Sequence, residues 1–263
     1  EYADGGVLAE HAAVREAVGI FDVSHLGKVS VQGPGAAEFI NRCFTNDLNK
    51  ITAGKAQYTL ACAEDGGTID DIIAYLKSDD DVFLIPNASN SAEVVRLLRA
   101  AAPQDIEIID QHRDFAVIAV QGPQSDELLI SLGLRVDHEY MSFVTETLAG
   151  IAVTVCRTGY TGERGYELLV PTDEALAIWD VVVSAGEQFN LRACGLGARD
   201  TLRTEMGYPL HGNDLSAEIS PVMARAAWAV GWAKPEFWGK AALEAQREAK
   251  TSRLLRGIRA VSR

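Results

Sequence analysis

Two carboxylates stand side by side inside an apolar run: Asp70 and Asp71 in Asp65-Gly66-Gly67-Thr68-Ile69-Asp70-Asp71-Ile72-Ile73-Ala74-Tyr75. The Gly-Gly pair supplies positive φ without Cβ strain, and the β-branched residues after it predict a turn feeding a strand. Side chains alternate faces along a strand, so Asp70 and Asp71 point opposite ways. Asp71 shares its face with Ile69, Ile73 and Tyr75, and Asp70 shares its own with Thr68, Ile72 and Ala74. This places Asp71 on the greasier side, where a carboxylate is costly unless something pairs with it. Two readings follow: an aspartate capping the Gly-Gly turn through backbone N–H groups, or a catalytic acid or base with a tuned pKa. This stretch alone leaves both open.

A second carboxylate lies at the end of Thr158-Gly159-Tyr160-Thr161-Gly162-Glu163-Arg164-Gly165-Tyr166-Glu167-Leu168-Leu169-Val170. No Gly-Lys-Ser/Thr closes this glycine-rich turn and no helix follows it at once, so it is not a phosphate loop. Glu167 shares a strand face with Leu169. It is either a solvated residue of a surface hairpin or an enclosed acid suited to a ligand offering two adjacent N–H donors. Arg199 and Arg203 are spaced i,i+4 on a short helix that Gly195 and Gly197 lead into and Gly207 caps. Asp200 and Glu205 can pair with them locally, or one arginine enters a ligand cleft.

Other chemistries are excluded by pattern. There is no G-x-S-x-G, no complete GxGxxG after a strand, and no CxxC among Cys43, Cys62, Cys156 and Cys194. The five histidines form no i,i+4 pair, so no metal is expected. Isolated cysteines suit a reducing compartment. A net charge of −13 from 24 basic and 37 acidic residues argues against nucleic acid or an anionic membrane as partner. The composition is that of a soluble globular chain, with no apolar run near the length of a bilayer span, no signal peptide and no targeting segment.

The elements that carry these residues repeat. Val31-Gln32-Gly33-Pro34 returns as Val120-Gln121-Gly122-Pro123, each between a strand and a helix, and Phe83-Leu84-Ile85-Pro86 returns as Leu168-Leu169-Val170-Pro171. The helices after the second landmark are expected over 91–101 and 174–185, with hairpin strands over 57–63, 68–76, 144–147 and 151–157. Each half reads strand, helix, three strands, helix, at about 29–101 and 117–185. The fold class is therefore α+β, a duplicated unit with antiparallel sheets. A ligand between the halves follows as an expectation. A helix is expected over 7–18 with Gly19 as its cap, then an irregular or extended Phe21-Asp22-Val23-Ser24-His25, and a charged helix near 240–250. Glu1 starts without a preceding element and Leu254-Leu255-Arg256-Gly257-Ile258 reads as a strand cut short, so the chain is expected to be a fragment.

Taken together, Phe21-Asp22-Val23-Ser24-His25, Gly66-Gly67-Thr68-Ile69-Asp70-Asp71, Thr158-Gly159-Tyr160-Thr161-Gly162-Glu163 and Gly195-Leu196-Gly197-Ala198-Arg199-Asp200-Thr201-Leu202-Arg203 closely resemble the aminomethyltransferase (T-protein) family of the glycine cleavage system. Phe237-Trp238-Gly239-Lys240-Ala241-Ala242-Leu243 resembles a later motif of the same family, so the resemblance covers nearly the whole chain. It implies transfer of the one-carbon unit of aminomethyl-lipoyl H-protein to tetrahydrofolate, releasing ammonia and leaving 5,10-methylenetetrahydrofolate. Tetrahydrofolate would be the acceptor substrate, with no metal, and lipoylated H-protein the partner. The compartment implied is the bacterial cytoplasm, or the mitochondrial matrix in a eukaryote.

By the same resemblance Asp71 is the essential carboxylate near the folate nitrogens. Glu167 and Arg199 are folate-binding, with Glu167 on the amino edge of the pterin, and Tyr58, Ile85 and Asn87 line the cavity. Residues 1–187 would form the folate-binding domain, and 188–263 the rest of its core and the start of a truncated C-terminal region. The family's N-terminal segment and C-terminal barrel, the latter with a further ligand-contacting arginine, would lie before Glu1 and after about Arg259. Sarcosine and dimethylglycine oxidising relatives carry a flavin domain, for which no fingerprint occurs here. A non-catalytic iron–sulfur assembly factor of the same fold is disfavoured because no cysteine follows Lys-Gly. A folate-dependent demethylase remains the other alternative.

Overall fold

The computed structural model describes residues 2, 5–251 and 253–258, so Glu1 and Arg259, at which the sequence suggests cut ends, lie outside the described residues. The chain divides into two compact units. One comprises residues 29–53, 57–109 and 209–263, the other residues 1–28, 54–56 and 110–208.

In the first of these, the expected repeat appears in order: β2 (Val29–Gln32), α2 (Ala36–Cys43), β3 (Lys55–Cys62), β4 (Thr68–Ser78), β5 (Asp81–Ile85) and α3 (Ser91–Ala101). These strands, with β6 (Glu107–Asp110), form a five-stranded sheet ordered β3-β4-β5-β2-β6. The side chains of Val29, Val31, Ile72, Ala74, Val82 and Leu84 meet Phe39, Ile40, Val94 and Leu98 of α2 and α3 in its core. Removing each large apolar group from water contributes about 1.5–3 kcal/mol. Helix α7 (Lys240–Ala249) sends Leu243 into a second cluster with Leu60, Cys62 and Phe237.

The other unit repeats the plan: β7 (Phe115–Gln121), α4 (Ser125–Ser131), β8 (Phe143–Leu148), β9 (Ile151–Cys156), β10 (Gly165–Pro171) and α5 (Ala175–Gly186). Its sheet is ordered β11-β1-β7-β10-β9-β8, where β1 is Gly19–Asp22 and β11 is Arg192–Ala193. Only β1 and β11 pair in parallel; the other described ladders of both sheets are antiparallel. Each sheet thus keeps one order for its repeated strands, 3-4-5-2 and 8-9-10-7. Helices α1 (Gly6–Glu16) and α6 (Leu196–Met206) pack together. Residues 188–208 belong with this unit and the later ones with the first.

The repeated Gly-Pro landmark has a steric reason. Gly33 and Gly122 hold φ of +131° and +138°, and a Cβ there would meet the carbonyl oxygens of Asp105 at 2.0 Å and Ala17 at 2.3 Å. Only glycine meets both demands.

Three expectations are corrected. Helix α1 ends at Glu16, and Gly19 opens β1 instead of capping the helix; a Cβ there would fall 2.3 Å from Val14 Cγ2 and 2.9 Å from Cys194 Sγ. Leu254 to Ile258 form no strand, and the segment is tied by the Leu255 N–H to the Met223 carbonyl at 2.8 Å. The faces of β4 alternate as expected, but Thr68, Asp70, Ile72 and Ala74 form the buried face, while Ile69, Asp71 and Ile73 are half-buried. Counting apolar neighbours misjudged the strand because helices cover the other side. Among the described residues no helix is long and apolar enough to cross a membrane.

Candidate functional site

Strand β4 presents Asp71, and its neighbours in sequence prepare the turn before it. Asp65 Oδ1 accepts from the Gly67 N–H at 3.0 Å, and the Thr68 N–H donates to the Ser216 carbonyl at 2.8 Å. Thus Asp65, not Asp70 or Asp71, caps the Gly-Gly turn. The β4–β5 register pairs Ile73 with Ile85, so Ile85 stands on the face of Asp71. Extending that register past the end of β5 brings Asn87 opposite Asp71.

Asp71 is half-buried, and its carboxyl is held by two donors. The Tyr58 hydroxyl donates to its Oδ2 at 3.0 Å and Asn87 Nδ2 to its Oδ1 at 2.8 Å. Burial pushes its pKa above the ordinary carboxylate range, opposed by the Tyr58 hydroxyl, by His211 when protonated and by the Asn87 amide. Asp70, fully buried, accepts from Asn87 N at 2.9 Å, Asn87 Nδ2 at 2.9 Å and Asn90 Nδ2 at 2.7 Å. Burial pushes Asp70 up to about 6 against those hydrogen bonds. Three of the expected residues, Tyr58, Asn87 and Ile85, therefore gather around Asp71 in one unit.

Both hydrogens of the Asn87 amide are engaged by Asp70 and Asp71, so Asn87 holds the Asp71 carboxylate. Trp228, 69% exposed, stacks on Tyr58 at 5.3 Å between ring centroids. Asn90, His211 and Trp228 have no signal in sequence, since each arrives by tertiary contact.

The other unit holds Glu167 and Arg199. Tyr166, Leu168 and Val170 of β10 enter its core, so alternation turns Glu167 the other way. Glu167 is half-buried. Burial raises its pKa, opposed by the Thr158 hydroxyl, which donates to Oε2 at 2.5 Å, and by the charge of Arg199. The Arg199 guanidinium lies 4.1 Å over the Tyr160 ring, which stacks in turn on Tyr208 at 5.9 Å. Arg203 instead folds back on Asp200, with Nε and Nη2 at 2.8 and 2.7 Å from Oδ1. Of the i,i+4 pair, Arg203 is tied to Asp200, while the charge of Arg199 lowers the pKa of Glu167. Glu205 pairs with Arg15 at 2.9 Å, outside its own helix. Tyr160 was within reach of sequence reasoning, because it lies in the same glycine-rich turn. A cleft of about 240 Å³ opens beside Thr158, lined also by Tyr140, Arg157, Gly159 and Tyr208.

The Phe21-Asp22-Val23-Ser24-His25 motif is a structural knot around a buried lysine. Lys28 Nζ donates to the carbonyls of Ser24 at 2.6 Å and His112 at 3.2 Å, and burial lowers its pKa to about 8. His25 is held below its ordinary pKa by burial and by Arg199.

Comparison with known proteins gives these clusters a family. The model of the GCVT N-terminal domain matches residues 1–234. An aminomethyltransferase of Frankia alni is 59% identical over 263 residues, all of this chain and 72% of that protein. One of Mycobacterium bovis is 57% identical over 258 residues, 98% of this chain and 70% of its own length. The crystal structure of glycine cleavage system aminomethyltransferase T from Bartonella henselae superposes with a TM-score of 0.86 at 30% identity, covering 93% of this chain and 67% of that one. The chain belongs to the glycine cleavage T-protein family and is an aminomethyltransferase of that system.

Proposed function

We propose that the chain transfers the one-carbon unit of aminomethyl-lipoyl H-protein to tetrahydrofolate, with Asp71 as the carboxylate that handles the proton. In this reaction the lipoyl sulfur–carbon bond and the carbon–nitrogen bond of the aminomethyl group break, and two bonds from that carbon to the folate nitrogens form. The two hydrogens leaving the folate nitrogens end on ammonia and on the lipoyl thiol. A carboxylate with a raised pKa is suited to take one such proton and to stabilise the cationic carbon as it develops. Tyr58 and Asn87 aim it, and Ile85 supplies an apolar wall. Glu167 accepts from the two adjacent N–H donors on the amino edge of the pterin, and Arg199 is a ligand contact, backed by Tyr160. In a bacterium, as the relatives are, the reaction runs in the cytoplasm, in keeping with four buried and unbridged cysteines.

The observation that carries this reading is the half-buried Asp71 carboxylate, held at Oδ2 by the Tyr58 hydroxyl at 3.0 Å and at Oδ1 by the Asn87 amide at 2.8 Å. The test is ammonia release from aminomethyl-lipoylated H-protein with tetrahydrofolate present. Ammonia with stoichiometric methylenetetrahydrofolate supports the reading; methyltetrahydrofolate from a sulfonium donor and no ammonia overturns it.

A further inference from the structure

Asp70 is fully buried, and the reaction as described gives it no part. Its contacts nevertheless reach Asp71. The Asn87 side-chain amide donates to Asp70 Oδ1 at 2.9 Å and to Asp71 Oδ1 at 2.8 Å, and the Asn87 N–H donates to Asp70 Oδ2 at 2.9 Å. An asparagine amide is nearly symmetric in shape, and only its partners fix which end faces where. With the amide turned over, its oxygen would face two carboxylates. Asp70 sets the orientation because it holds the same residue by backbone and side chain together.

The far side of Asp70 is fixed in the same way. Asn90 Nδ2 donates to Asp70 Oδ1 at 2.7 Å and meets His211 Nδ1 at 3.0 Å. His211 Nε2 lies 3.0 Å from the Thr68 carbonyl, which only accepts, so Nε2 carries a hydrogen, and in the neutral ring Nδ1 then accepts from Asn90. With His211 neutral, each hydrogen bond from Thr68 through His211, Asn90, Asp70 and Asn87 to Asp71 has one direction.

We infer that Asp70 is a positioning residue for aminomethyl transfer: through Asn87 it fixes the rotamer of the Asp71 carboxylate. The inference rests on the reading of Asp71 as the reacting carboxylate. Misplacing a reacting group by about 1 Å costs on the order of a hundredfold in rate. Asp70→Asn keeps the shape but puts a donor either in the place of Oδ2, against the Asn87 N–H, or in the place of Oδ1, against the side-chain amides of Asn87 and Asn90, so a link to Asn87 opens in either rotamer.

The experiment is a double-mutant cycle of Asp70→Asn with Asp71→Asn in the full enzyme, read as kcat for ammonia release and as Kd for tetrahydrofolate. Asp70→Asn is expected to lower kcat about 10- to 100-fold with Kd changed less than about threefold. In the Asp71→Asn background it should change the residual rate by less than about threefold. A further full loss in that background, or a Kd that rises as kcat falls, overturns the inference. Full turnover by Asp71→Asn alone overturns the parent reading and the inference with it, and is distinguishable in the same data. Should Asp70→Asn fail to fold, Asn90→Ala removes a single donor to Asp70 and is expected to lower kcat roughly tenfold at unchanged Kd; an unchanged kcat overturns the inference.

Discussion

Asn87 Nδ2 stands 2.9 Å from Asp70 Oδ1 and 2.8 Å from Asp71 Oδ1, so one amide ties two neighbouring carboxylates that leave β4 on opposite faces. The tie exists because Asn87 lies just past the end of β5, where a side chain can reach around the strand edge. Both carboxylates are pushed up by burial, and the charge of Asp71 adds to the rise of Asp70.

Asp71→Asn should lower kcat by about 10²- to 10⁴-fold, the range for loss of a positioned proton carrier. The thermal midpoint should stay near that of the parent, because the isosteric amide needs no charge compensation. Steady-state ammonia release beside a melting curve checks both, and a loss no greater than that of Asp70→Asn would reverse the roles given to the pair.

Asp70 makes stability depend on pH. Its folded pKa of about 6 lies above the 3.8 of an unperturbed aspartate, so between these values the folded chain keeps a proton that the unfolded chain has released. Its contribution is therefore full below about pH 4 and lost as pH rises through 6. The stability of the parent relative to Asp70→Asn should fall by roughly 2 kcal/mol from pH 4 to pH 7. Urea midpoints of both proteins across that range measure it.

Glu167→Gln should weaken tetrahydrofolate binding about 10- to 100-fold, since a charge-assisted pair of hydrogen bonds becomes a mismatched neutral one. Calorimetric titration is the measurement. Removing this charge should leave the folded chain as stable as before or more so, because burial already penalises the ionised form. Unchanged affinity would remove Glu167 from the ligand.

Gly67→Ala should destabilise the fold by about 3 kcal/mol, because a Cβ there would lie 1.8 Å from the Ala217 carbonyl oxygen. Chemical denaturation measures the loss. Activity per folded molecule should fall as well, since the same backbone leads into Asp70 and Asp71.

The thiols of Cys43, Cys62 and Cys194 are buried and pushed up to about 12. None should react with a disulfide reagent in the native protein at pH 8, and all should react in denaturant. A fast native thiol would show an opening that the packed core does not provide.

Much of the architecture was legible because it rests on local and periodic signals. The two Gly-Pro landmarks mark equivalent strand ends, the apolar spacings mark the helices that cover each sheet, and their repetition gives the strand–helix–three-strand–helix plan. The motifs also carried Asp71, Glu167 and Arg199 into a family. Short strands β1, β6 and β11 were not legible, since two to four residues hold no measurable period and exist only through pairing with distant strands.

The sequence by itself determined that Asp70 and Asp71 face opposite ways, that Glu167 alternates against the core residues Tyr166 and Leu168, and that a duplicated α+β domain carries them. Those facts follow from the two-residue period of a strand. Only the tertiary structure decided which aspartate lies deeper, which donors orient each one, and that Arg199 stacks on Tyr160 while Arg203 folds back on Asp200. Burial depends on what packs over a face, and hydrogen-bond direction depends on partners such as His211, which lies 140 residues from Asp71 in sequence and arrives only when the chain folds.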